Sequence, residues 1–193
     1  FANEEPAIRT QMRLLNASSG LQRGNILNGS RDLAKQKWST ICPYIENFDC
    51  VGKTMDDLDE YCSTNDVDIL IIDQLDKINV SGKYNATHEK LREVYRQARE
   101  LAKRHNILVI GMSQASAEAQ GRSRVTFSVM ENSKTGKSAE ADVILGIGKE
   151  DEIENYLDDC VRVVTLTKNK LTGDHAEFEV VLRPTISRYA ERN

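Results

Sequence analysis

The chain has 193 residues, 29% of them charged and 39% hydrophobic, with a formal net charge of −4. That length can bury one good core and fits one domain, and no apolar stretch approaches the roughly 20 residues of a membrane helix. The acidic balance excludes a surface coated in basic residues but is compatible with a local basic groove.

In chain order, Pro6 falls in a first helical turn, where its missing N–H does no harm, and Ile8, Met12 and Leu15 follow at helical spacing. A second helical region is predicted from Ser30 to Glu46, carrying Leu33, Trp38, Ile41 and Ile45. Thr54 with Asp57 forms a capping box for a short helix through Tyr61. The run Ile69-Leu70-Ile71-Ile72 then leads straight into Asp73. Such a run predicts a strand buried on both faces, and a carboxylate just past it sits at the sheet edge where open α/β folds bind ligands. Residues 75–86 form a polar loop. Leu91, Val94, Tyr95, Ala98, Leu101 and Ala102 make one apolar stripe of a long helix.

The strand Ile107 to Ile110 follows and ends in Ser113-Gln114. Residues 115–138 are polar and rich in Ser, Gly, Arg and Lys, and a loop of that length in a domain is usually functional or mobile. Ala141 to Leu145 is a further strand, and Lys149 to Asp159 an acidic, solvated excursion. Strands Val161 to Thr167 and Ala176 to Leu182 close the chain around a turn, Lys168 to Asp174, that holds two cations. The alternation predicts an α/β fold: a mostly parallel twisted sheet flanked by helices, with the last two strands as an antiparallel hairpin. Cys42, Cys50, Cys62 and Cys160 lack C-x-x-C spacing and the three histidines are scattered, so reduced thiols are expected rather than a zinc site.

Asp73, Gln114 and Lys168 thus stand in order at three strand ends, behind the opening Phe1-Ala2-Asn3-Glu4-Glu5-Pro6. Taken singly, each suits a solvated strand end, and Glu4 suits a helix N-terminus. Together they resemble the RecA-like motor domain of DnaB-like replicative hexameric helicases and phage primase–helicases. Phe1 and Glu4 match the family's aromatic-x-x-Glu strand end, and Arg13 an arginine nine residues on. Ile69 to Ile78 matches its Mg²⁺-site strand, Ser113-Gln114 its Ser-Gln strand end, Ala141-Asp142 its Ala-Asp strand start, and Lys168 to Gly173 its Lys-x-Arg-x-Thr-Gly turn.

The resemblance implies ATP and Mg²⁺ as cofactors and a mechanism. Glu4 would orient or activate water, Asp73 would hold Mg²⁺ through water, and Gln114 would sense the γ-phosphate. Lys168 and Lys170 would act in trans on a neighbouring subunit's nucleotide. It implies single-stranded DNA threaded through a hexameric ring by loops 76–86 and 115–138, with Lys77, Lys83, Arg122, Arg124, Lys134 and Lys137 tracking the backbone. A primase, a helicase loader and a cytoplasmic setting in a bacterium or phage-infected cell belong to the same expectation.

Two departures stand out. Lys170 occupies the family's arginine-finger position, and a lysine lacks the planar fork that contacts phosphate bidentately. The phosphate-binding loop G-x-x-x-x-G-K-[ST] is also missing: Gly52-Lys53-Thr54 has Asn47 where the first glycine belongs, and Gly136-Lys137-Ser138 has Glu131. In the family that loop and its strand immediately precede the Phe1 segment. We therefore expect a partial motor domain over 1–193, cut after the P-loop helix of a longer chain and inactive as an ATPase by itself. The competing expectations are a RecA- or RadA-like recombinase core and a non-catalytic oligomerisation or single-strand-binding fragment.

Overall fold

A computed structural model describes residues 1–2, 6–126, 129, 137–149 and 160–192. In chain order its elements are α1 (Ala7–Ser19), α2 (Arg23–Leu27), α3 (Arg31–Ser39), α4 (Met55–Thr64), β1 (Ile69–Ile72), α5 (Thr87–His105), β2 (Leu108–Gly111), α6 (Lys137–Glu140), β3 (Val143–Gly148), β4 (Val161–Asn169), β5 (Glu177–Arg183) and β6 (Arg188–Glu191).

β1 and β2 pair in parallel, Ile69 opposite Leu108 through Ile72 opposite Gly111. Phe1-Ala2 extends this sheet on the other side of β1: the Phe1 nitrogen donates to Ile71 O at 2.7 Å, and Asp73 N donates to Phe1 O at 3.0 Å. A parallel bridge links Ala2 in turn to Asp49. The antiparallel part is larger than the expected hairpin, a four-stranded sheet in the order β3-β4-β5-β6. β6 carries no strong alternation, so the sequence does not announce it. Among the described residues, no strand pairs with the outer edge of β2 or of β3.

The period of two decides which side of β1 is buried. Leu70 and Ile72 face α4 and α5 and share a core with Leu58, Cys62, Val94, Ala98 and Leu101. Ile69 and Ile71 point the other way and remain 55% and 45% exposed, and Leu108 and Ile110 beside them are exposed too. The expectation of a strand buried on both faces is therefore corrected: the described helices cover one face only. Leu58 is fully buried at the centre of the covered side. Leu58→Ala is expected to cost about 2–5 kcal/mol, lost transfer energy plus a cavity, which a urea midpoint measured against wild type would register.

Local chemistry explains several boundaries. Thr54 caps α4 as expected: its hydroxyl accepts from Asp57 N at 3.2 Å, while the Asp57 carboxylate accepts from Thr54 N at 2.7 Å. The bond from Thr54 N, and then one from the Thr54 hydroxyl at 2.8 Å, hold the Asp57 carboxyl below its usual range. Thr54 is thereby engaged as a helix cap, in keeping with Gly52-Lys53-Thr54 being a decoy. The helix runs to Thr64 rather than stopping at Tyr61. The region predicted as one helix from Ser30 to Glu46 ends its α-helix at Ser39: Pro43 has no N–H to donate to the carbonyl of Ser39, four residues back, and the chain goes on only as a 3-10 turn, Cys42–Tyr44. All four cysteines are free thiols, Cys50 and Cys62 buried.

Candidate nucleotide and DNA site

The carboxyl ends of the parallel strands are tied into one edge. Met112 N donates to Ile72 O and Leu75 N to Met112 O, both at 2.9 Å, so the segments after β1 and β2 lie side by side. With the Phe1–Asp73 bond on the other flank, three of the predicted strand ends meet here: Phe1, Asp73 and Ser113-Gln114. Phe1 is fixed by stacking on Phe48, with centroids 5.2 Å apart, and by edge contact with Tyr61 at 5.5 Å. Glu4 lies outside the described residues.

Asp73 is half-buried, and the residue after it, Gln74, is buried with φ +52°, a left-handed conformation that a non-glycine residue adopts at a cost. Such strain gathers at functional turns. It reverses the chain into a 3-10 turn, Leu75–Lys77, that enters loop 76–86. A lone strand-end carboxylate suits Mg²⁺, which keeps most of its waters and takes one or two protein oxygens. Asp73 is a described side chain that could hold such an ion, which would supply charge neutralisation. Among the described residues no group of three or more His, Cys, Asp or Glu side chains could cage a metal.

A junction that no sequence motif marks lies just behind. The Asp76 carboxylate accepts from the Tyr95 hydroxyl at 2.7 Å and from the Ser113 hydroxyl at 2.8 Å. It ties α5, the Ser-Gln strand end and the start of loop 76–86 together. Burial, then the Asp76 charge, raises the Tyr95 phenol well above its ordinary value, which keeps it a proton donor. The helical period places Tyr95 in an apolar stripe, and only its hydroxyl signals the second role.

Lys168 and Lys170 form a separate group. Lys168 lies near the end of β4 and Lys170 just past it, and both ammoniums donate to Ala139 O, at 3.5 and 3.0 Å. Lys170 also lies 3.7 Å from Asp142, which Arg99 of α5 holds at 3.0 Å. Desolvation, then the neighbouring Lys170, lowers the Lys168 pKa. None of these partners belongs to the Asp73 edge.

The DNA-loop candidates divide. Lys77, Lys83 and Arg122 are exposed. Arg124 is engaged in a two-pronged ion pair with Glu177 of β5, at 2.6 and 2.7 Å. Lys134 lies outside the described residues, as does most of the acidic excursion, 150–159; of Lys137 only the backbone, in α6, is described. The first part of loop 115–138 is anchored: Ser116 bonds Val129 O through its backbone at 3.0 Å and its hydroxyl at 2.7 Å. Ala119, Val125 and Val129 form a small second core. Residues 122–125 press on the face of β3 where Gly146 and Gly148 provide room, since a Cβ on Gly146 would sit 2.1 Å from Val125 O and one on Gly148 2.1 Å from Ser123 O.

Two solved structures share this architecture. One, described as a DnaB-like replicative helicase and its interactions with primase, superposes with a TM-score of 0.82 at 18% identity, over 99% of this chain and 51% of that one. The other, described as an ATPase domain, gives a TM-score of 0.77 at 17% identity, over 99% of this chain and 74% of that one. The chain thus spans about half the length of the first. No curated protein sequence matches it. The profile of the DnaB-like helicase C-terminal domain matches residues 1–191, and with that match over nearly its whole length the chain belongs to that family.

Proposed function

We propose that this chain is the ATP-hydrolysing part of a ring-shaped replicative helicase that translocates on single-stranded DNA and separates the duplex ahead of it. The observation that carries this reading is the hydrogen-bonded edge joining Phe1, Asp73 and Ser113. It brings Asp73 to the same sheet edge as the Ser113-Gln114 strand end and directly before loop 76–86. In this reading Glu4 orients the attacking water, Asp73 holds Mg²⁺ through water, and Gln114 contacts the γ-phosphate. Lys168 and Lys170 reach a neighbour's nucleotide in a hexamer, which fits their grouping away from the Asp73 edge. Lys77, Lys83, Arg122, Lys134 and Lys137 follow the DNA backbone, with Arg124 joining only when its pair with Glu177 opens. Family membership favours the helicase over the recombinase reading.

The full-length protein, given ATP, Mg²⁺ and a forked duplex, is expected to release the displaced strand, with hydrolysis stimulated by single-stranded DNA. The 193-residue chain alone, which contains no G-x-x-x-x-G-K-[ST] motif, is expected to show no robust hydrolysis. Strong ATPase activity from the short chain would refute the partial-site reading, and DNA binding without ATP-dependent strand release would favour a non-catalytic fragment.

A further inference from the structure

We propose that Asp142, oriented by Arg99, is a positioning residue that aims Lys170 at the phosphates of the neighbouring subunit's nucleotide. The inference rests on the trans role given to Lys170 above, and it explains how a lysine could serve in a position where the family uses arginine. A guanidinium brings its own planar fork, whereas an ammonium is a point charge on a stem of four rotatable bonds and needs outside help to hold a direction.

Asp142 supplies that help twice. Its backbone oxygen accepts from Lys170 N at 2.8 Å, continuing the β3–β4 ladder by one rung, and its carboxylate stands 3.7 Å from the ammonium. The Ala139 carbonyl, 3.0 Å from the same ammonium, provides a second fixed point. Asp142 is in turn held from α5: one Arg99 nitrogen donates to its carboxylate and another to Glu140 O, each at 3.0 Å. The cluster joins Arg99, Lys168 and Lys170 to the carboxylates of Asp142 and Glu140, the latter 3.8 Å from Arg99. Without Asp142, two ammoniums sharing one carbonyl would repel each other with little to hold them in place. Lys170 is 41% and Asp142 49% exposed, so the pair adds little to stability. Its value is directional, and its exposure leaves the cation able to face another subunit.

The test uses the full-length protein with single-stranded DNA and steady-state ATP hydrolysis. Asp142→Asn is expected to lower kcat about ten-fold, a fraction of what removing a transition-state donor outright costs, with the KM for ATP and the thermal midpoint close to wild type. Asp142→Glu should restore most of the rate. Adding Asp142→Asn to Lys170→Ala should slow the enzyme no further. In rings mixed with Asp73→Asn subunits, Asp142→Asn subunits should recover activity, because each defect then lies on a different side of a shared interface. A normal kcat for Asp142→Asn, or independent multiplication of the two defects, would overturn the inference while leaving Lys170 in its role. A normal kcat for Lys170→Ala would overturn both.

Discussion

Asp73→Asn in the full-length protein is expected to lower Mg²⁺-dependent ATP turnover roughly 100- to 1,000-fold, the scale of the several kcal/mol that a bound metal contributes to charge stabilisation. The change is isosteric, and the structural bond at this position, Asp73 N to Phe1 O, is made by the backbone and survives it. Folding should therefore be preserved while the proposed Mg²⁺ site loses the carboxylate that would hold the ion through water. A magnesium titration separates these effects: the variant should require far more Mg²⁺ for whatever activity remains, with a circular-dichroism melt matching wild type. Turnover close to wild type would remove Asp73 from the site.

Gly148→Ala should produce a comparably large effect by a different route. The new Cβ would lie 2.1 Å from Ser123 O and 2.5 Å from Arg122 O, both backbone atoms that cannot rotate away. Either the strand or residues 122–125 must shift, at a cost of roughly 3 kcal/mol or more, the upper end for overpacking. The displaced segment carries Arg122 and Arg124, so limited proteolysis should open new cleavage sites there, and the urea midpoint should fall. An unchanged midpoint and digestion pattern would mean that this contact does not hold the loop. Gly24, with nothing within 4 Å of a Cβ, makes a control of the same chemistry.

Asp73 and Gly148 differ in how far the sequence discloses them. Ile69 to Asp73, Ser113-Gln114 and Lys168 to Gly173 are legible because strand runs and their polar ends follow local rules, and their order points to the family. The apolar stripe of α5 and the Thr54 cap are legible for the same reason. Gly146 and Gly148 are silent, since their purpose is the approach of a segment more than 20 residues away in the chain. The junction of Asp76 with Tyr95 and Ser113, and the pair of Arg99 with Asp142, are silent because pairing between elements far apart in the chain leaves no periodic trace. The two-sided burial expected of β1 fails for a related reason: an apolar run states that side chains want cover, not that the chain supplies it.

Uncovered strands have a practical side. Two backbone edges, four and six residues long at β2 and β3, stay open among the described residues, and Ile69, Ile71, Leu108, Ile110, Val143, Leu145 and Ile147 are exposed beside them. Open edges recruit other chains, and greasy faces glue them together. A preparation of these 193 residues alone would be governed by colloidal behaviour before chemistry, its recovery falling as its concentration rises.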